Sequence, residues 1–186
     1  ALGLSDMYDT STQTDGAGDW SIMGTGSWGG SPAGSKPAPM LAWERYKLGG
    51  TLWVTITDVT ASGTITVQDI ETAPRTVYKV QLNDPSGEQY LLLEGKKASS
   101  GDSWFVPGSG ILITHIHEGI IDTYFNTNEV NDGDSRVHGV NVLEADGNNA
   151  LWTAGGDDGS SADLFVSGDV LDSTSSPDSK YYTSEN

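Results

Sequence analysis

At 186 residues and 19.6 kDa, the chain has the length of one domain. Its 26 Asp+Glu against 9 Lys+Arg give a net charge of -17, which excludes a phosphate-neutralising nucleic-acid surface and a polybasic membrane patch. Cysteine is absent, and disulfides, thiol chemistry and Cys-ligated zinc go with it.

In chain order, the first element is a short helical end at residues 1–4, followed by a Gly-rich stretch to about residue 37. Ala38–Tyr46 (APMLAWERY) reads as the one clear helix, entered through Pro37 and Pro39 and stopped by Gly49-Gly50. From residue 51 the pattern changes to strands: Leu52–Thr57, Gly63–Gln68, Val77–Leu82, Gln89–Leu93, Gly110–His117 and Gly139–Leu143 alternate or run apolar. Turn clusters at 58–62, 83–87 and 107–110 separate them. With no helix between them, these strands predict an antiparallel meander. The last 40 or so residues are rich in Gly, Asp and Ser, with apolar islands only at Leu151-Trp152 and Leu164–Val166. No run approaches a membrane-spanning length, and no internal repeat is evident. The expected class is α+β, predominantly β, divided as 1–50 (loops and one helix) and 51–186 (strands).

Two acidic loops have the composition of hard-cation sites. Residues 126–134 gather Asn128, Asp132 and Asp134 around Gly133, and residues 155–163 gather Asp157, Asp158 and Asp163 around Gly residues. Oxygen ligands of this kind suit calcium, although neither loop follows the EF-hand spacing, and a solvated acidic loop explains the same composition. His117-Glu118-Gly119-Ile120-Ile121 lacks a second His at i+4 and is rejected as a zinc site. His115 and His138 fall in apolar stretches where hydrogen-bonded structural roles are commoner than catalytic ones. Lys96-Lys97 reads as a solvated basic turn.

The opening ALGLSDMYD (1–9) gains meaning beside GDWSIMGTGSW (18–28), YLLLE (90–94), PGSGILITHI (107–116), HGVNVLEADG (138–147) and DLF (163–165). In this order the blocks resemble the immune inhibitor A-like zinc metallopeptidases. The resemblance implies a zincin-like C-terminal subdomain that follows an HExxH helix, and this chain contains no HExxH. A His immediately before Ala1 would give His-x-x-Gly-x-x-Asp, with Gly3 ending the helix and Asp6 as third zinc ligand. Asp9 is the runner-up, as ligand or as support for the ligand. Taken alone, Asp6 reads more readily as an Asp that caps or hydrogen-bonds a loop; the family blocks are what turn the reading toward a ligand. Met23 resembles the methionine turn beneath the metal. No catalytic residue is expected in the chain itself.

The implied function is part of a secreted zinc-dependent endopeptidase that hydrolyses peptide bonds through a zinc-bound water. Zinc is its cofactor and calcium a second metal. Its partners would be the rest of its own catalytic domain and a peptide or protein substrate, with no nucleic acid and no membrane insertion. An extracellular location, with a signal peptide upstream, and further family segments beyond both ends are expected on the same ground. The alternative is a catalytically inactive peptidase-like structural or assembly module of an extracellular protein, stabilised by calcium.

Overall fold

The computed structural model describes residues 3–72, 75–98, 104–133 and 137–183. Its centre is a five-stranded sheet in the spatial order β1-β2-β3-β4-β5. The strands are β1 Thr55–Asp58, β2 Thr76–Gln81, β3 Gln89–Lys96, β4 Gly110–His117 and β5 Val140–Leu143. β3 and β4 pair along their whole lengths, from Gln89↔His117 to Lys96↔Gly110.

The period-two alternation of these strands sorts the core into two layers. Tyr90, Leu92, Leu112, Ile116, Val140 and Val142 face the larger core, which Leu4, Met7, Trp20, Leu41 and Trp43 complete from the N-terminal quarter of the chain. Leu91, Ile113 and Leu143 face the other way and join Leu82 and Phe165 in a smaller cluster, against which Leu171 and Tyr181 pack. The sheet is thus covered on one side by the N-terminal loops and helix α1 (Ala42–Gly49), and on the other by the C-terminal segment.

Several elements differ from the sequence expectation. β1 and β2 are parallel, with Thr55 opposite Thr76, so the sheet is mixed. A parallel neighbour needs a crossover connection, and residues 59–75 supply it. The expected strand Gly63–Gln68 therefore does not form: its residues are mostly exposed, and the segment touches the sheet through the Asp69↔Gly95 bridge and the fully buried Ile70.

Helix α1 begins four residues later than expected. The lead-in directs its backbone to neighbours instead: Ala38 N–H donates to the Gly26 carbonyl at 2.7 Å, and the Pro37 carbonyl accepts from Phe105 N–H at 3.1 Å. The Glu44 carboxylate then accepts the Leu41 N–H at 2.7 Å and caps the first turn. Gly50, at φ +54°, ends the helix.

A second helix, α2 (Glu118–Tyr124), follows β4 directly. His117 caps it, with Nδ1 accepting the Ile120 N–H at 3.4 Å, and Ile120 and Ile121 are buried. Seven residues containing Gly119 and two Ile carry little intrinsic helix preference, so burial of the two Ile decides the conformation. The expected helical end at 1–4 lies partly outside the described residues; Gly3 and Leu4 are not helical. No helix among the described residues is long and apolar enough to cross a membrane.

Candidate metal centre

Residues 5–16 form a loop on the N-terminal side of the sheet, entered through Gly3 at φ +81°, a conformation that favours glycine. Asp6 is half-buried near its start. Its Oδ2 accepts the Tyr8 hydroxyl at 2.8 Å and the Asn128 Nδ2–H at 2.6 Å, and its backbone N–H donates to Asn128 Oδ1 at 2.7 Å. Oδ1 of Asp6 accepts no hydrogen bond from the described residues. The carboxylate is held from one side with one oxygen in reserve. The hydrogen bond to Asp6 raises the Tyr8 pKa, which keeps the phenol a donor.

Asp9 is the opposite case. It is 3 % exposed, and six donors reach it. Ser11 N–H and Oγ–H bind Oδ1, while the N–H groups of Gln13, Thr14 and Gly133 and the Thr14 hydroxyl bind Oδ2. Burial alone would raise its pKa, but these donors, Ser11 and Gly133 foremost, pull it down to about 2. Both oxygens are engaged in folding the loop.

The loop after residue 125, expected to gather a cation, instead clasps the Asp6 loop. Asn128, at φ +66°, pairs with Asp6 as described. Asp132 accepts the Thr10 N–H and hydroxyl on Oδ1 at 2.8 and 2.9 Å. Asn131, fully buried, donates from Nδ2 to the Met7 carbonyl at 3.2 Å and brackets the edge of β5, donating to the Val140 carbonyl and accepting its N–H. Asp134 lies outside the described residues. Gly133 packs so closely on Asp9 and Thr14 that a β-carbon there would collide with the Thr14 methyl.

Met23 is tied to this loop through its backbone. Its side chain packs, half-buried, on the main core, and its carbonyl accepts the Met7 N–H at 2.9 Å. Met7, which the sequence did not single out, is the fully buried methionine of the pair. A cavity of about 390 Å³ opens beside the loop, lined by Tyr8, Thr12, Thr14, Thr25, Ser27 and Trp28.

The candidates in the second acidic loop separate. Asp157 and Asp158 lie in the exposed turn, where Asp157 Oδ1 accepts the Gly159 N–H at 3.0 Å. Asp163 is fully buried: its Oδ2 accepts the Trp20 indole N–H at 2.7 Å and the Ser160 N–H at 3.0 Å. Its carboxylate comes within 4.8 Å of those of Glu144 and Asp146, neither of which the sequence singled out. Burial raises the Asp163 pKa and lifts that of Glu144 to about 7. Even so, Glu144 accepts the Ala150 and Leu151 N–H groups at 2.6 and 3.1 Å.

Both histidines are built into the packing. His115 stacks on Tyr182 at 4.2 Å on the far face of the sheet, with Nε2 3.0 Å from Gln89 Oε1; burial lowers its pKa to about 4. His138 stacks on Trp152 at 4.1 Å and meets the Thr14 hydroxyl at 3.2 Å. Lys96, expected in a solvated turn, is a buried β3 residue 3.5 Å from Glu94.

Residues 1–54 match the family model for immune inhibitor A peptidase M6, catalytic domain. This bears out the resemblance carried by the opening blocks and relates the chain to the metallopeptidases. Among curated proteins it is similar to the pre-pro-metalloprotease PrtV of Vibrio cholerae serotype O1, in strains M66-2 and ATCC 39315 / El Tor Inaba N16961. Each is 29% identical over 123 residues, covering 59% of this chain. The match covers 12% of the length of these relatives. No solved structure matches the chain.

Proposed function

We propose that this chain forms the loop-and-sheet part of the catalytic domain of a secreted, zinc-dependent endopeptidase, with Asp6 as the protein ligand it contributes. The observation that carries this reading is the contrast between Asp6 and Asp9. Asp9 has both oxygens filled by six donors, whereas Asp6 is steered through Oδ2 and keeps Oδ1 available. A carboxylate supported through one oxygen is how ligands of a catalytic zinc are oriented. Zinc, when bound, supplies Lewis-acid polarisation of the scissile carbonyl and activates water.

The chain's own residues do the positioning. Tyr8 and Asn128 fix the rotation of the Asp6 carboxylate, and Asp9 and Asp132 fold the loop that carries it. Asn131 ties the loop to β5 through Met7. The cavity beside Tyr8 and Trp28 is open to a substrate side chain. The HExxH helix and the catalytic Glu would come from polypeptide outside this sequence, as would a signal peptide.

The test is metal content and peptidase activity of the complete polypeptide that contains this chain. Asp6→Asn should lose zinc and casein hydrolysis while keeping the fold, and Asn128→Ala should weaken zinc retention. Full zinc occupancy in Asp6→Asn, or zinc-dependent hydrolysis by the 186-residue chain alone, would overturn the assignment. A complete polypeptide that binds no zinc would favour the inactive structural module. For calcium, the Glu144, Asp146 and Asp163 carboxylates are the best-gathered oxygens. A thermal shift with added calcium that Asp146→Asn removes would support it.

A further inference from the structure

Glu44 lies on α1, which makes no direct hydrogen bond to the Asp6 loop among the described residues, and is fully buried. Its two oxygens serve different ends. Oε2 accepts the Leu41 N–H at 2.7 Å, and Oε1 accepts the hydroxyl of Ser21, itself fully buried. The Ser21 oxygen accepts the Met23 N–H at 2.9 Å. The Met23 carbonyl then accepts the Met7 N–H at 2.9 Å, and the Met7 carbonyl accepts the Ala17 N–H at 2.7 Å. Met7 is the residue after Asp6.

We propose that Glu44 is a positioning residue for the metal-ligand loop, acting through Ser21 and the Met23 backbone to set the height of Met7 and so of Asp6. This inference rests on reading Asp6 as a ligand. The chemistry favours a carboxylate here. A helix cap needs one acceptor, which Ser, Asn or Gln would provide. When ionised, Glu44 takes two donors at once, the Leu41 N–H and the Ser21 O–H, one on each carboxylate oxygen. With its proton committed to Glu44, the Ser21 oxygen presents a lone pair to Met23. Gln at position 44 turns an N–H₂ group toward one of those donors and leaves a buried proton without an acceptor. The other charged groups facing Glu44 are Glu94 and Lys96 of β3. They touch neither Ser21 nor the Asp6 loop in any hydrogen bond of the described residues, so the route to the loop runs through Ser21.

The test has two readouts. In the 186-residue chain above about pH 8, where Glu44 is ionised, amide hydrogen exchange is followed in Glu44→Gln and Ser21→Ala, with urea unfolding as the check on global stability. The expected result is exchange about tenfold faster at the Met23 and Met7 amides in both variants, with Leu92 and Leu112 of the central strands unchanged. The double variant should resemble the single ones, since both break one chain of bonds. Unchanged Met7 exchange, acceleration spread evenly over the sheet, or additive effects would overturn the proposal.

In the complete metal-loaded polypeptide, zinc dissociation should be about tenfold faster in Glu44→Gln, with kcat reduced more than KM is raised. Local loosening with unaltered zinc release and kcat would overturn the positioning role while leaving the Asp6 reading intact. If the wild-type polypeptide retains no zinc, the Asp6 reading fails first, and the positioning role falls with it.

Discussion

Asp9→Asn is the sharpest test of how the candidate loop is built. Six donors converge on a carboxylate whose pKa is about 2 against an ordinary 3.8. A difference of about two pH units corresponds to about 2.5 kcal/mol of folding free energy. The Asn side chain also replaces one acceptor oxygen with an N–H₂ group. That group must face either Ser11 or the Gln13, Thr14 and Gly133 amides, and a buried donor left without an acceptor costs about 1–3 kcal/mol. The expected loss at neutral pH is therefore about 3 kcal/mol, read as a lower urea midpoint with an unchanged slope.

The pH dependence separates this cause from simple misfit. Because the folded pKa is depressed, the contribution is complete above the unfolded value. It is lost as pH falls from about 4 toward about 2, and about 1 kcal/mol should be gone by pH 3. The gap between wild type and Asp9→Asn should narrow by that amount over the same range. A destabilisation under 1 kcal/mol at pH 7, or a gap that stays constant down to pH 3, would refute the account.

Three further outcomes follow from the same structure. Burial raises the Glu44 pKa to about 7, so the unfolded chain releases this proton first, and stability on its account falls by about 3 kcal/mol as pH rises from 4.5 to above 7. Glu44→Gln should remove that part of the slope in a series of urea titrations, and an unaltered slope would contradict it. Burial, with His117 nearby, lowers the His115 pKa to about 4. Its ring proton resonance should stay flat between pH 7.5 and 5, where an exposed His midpoint near 6.5 would count against the packing described. Gly16→Ala sets a β-carbon against the Met7 carbonyl at a residue with φ +64°. It should destabilise by about 3 kcal/mol or more in thermal or urea unfolding, and a neutral result would mean the Met7–Ala17 link is not as drawn.

The strands that carry the core were legible because β3, β4 and β5 are apolar on alternating or both faces, and their turns are marked by Gly, Pro and Asp. What the sequence could not show is pairing between distant segments. Gly63–Gln68 alternates as well as any strand, yet the parallel β1–β2 pair turns it into a crossover. The Asn128–Asp132 loop has a cation-binding composition, but its oxygens and amides are taken by residues 5–10, more than 120 positions away. Asp6 stood out through family blocks, whereas its support Tyr8 and the remote Glu44 carry no local signature, and Asn128 was legible only as an oxygen of an acidic loop, not as a partner of Asp6. An acid at the third helical position reads as an ordinary cap until Ser21 is placed beside it.

The acidic excess that first excluded nucleic acid takes on a second meaning once its buried members are placed. Asp9, Asp132, Glu144 and Asp163 are each bound by backbone N–H groups from loops that have little regular structure of their own. Arg45 with Glu71 and Lys96 with Glu94 are the buried or half-buried ion pairs among the described residues. Elsewhere a carboxylate does the work that a β-ladder does in the sheet, accepting several N–H groups at one point. In such a protein an acidic residue is weak evidence for a metal. Spare acceptor capacity on an oriented carboxylate is the stronger criterion, and by it Asp6 separates from Asp9, although the two lie three residues apart.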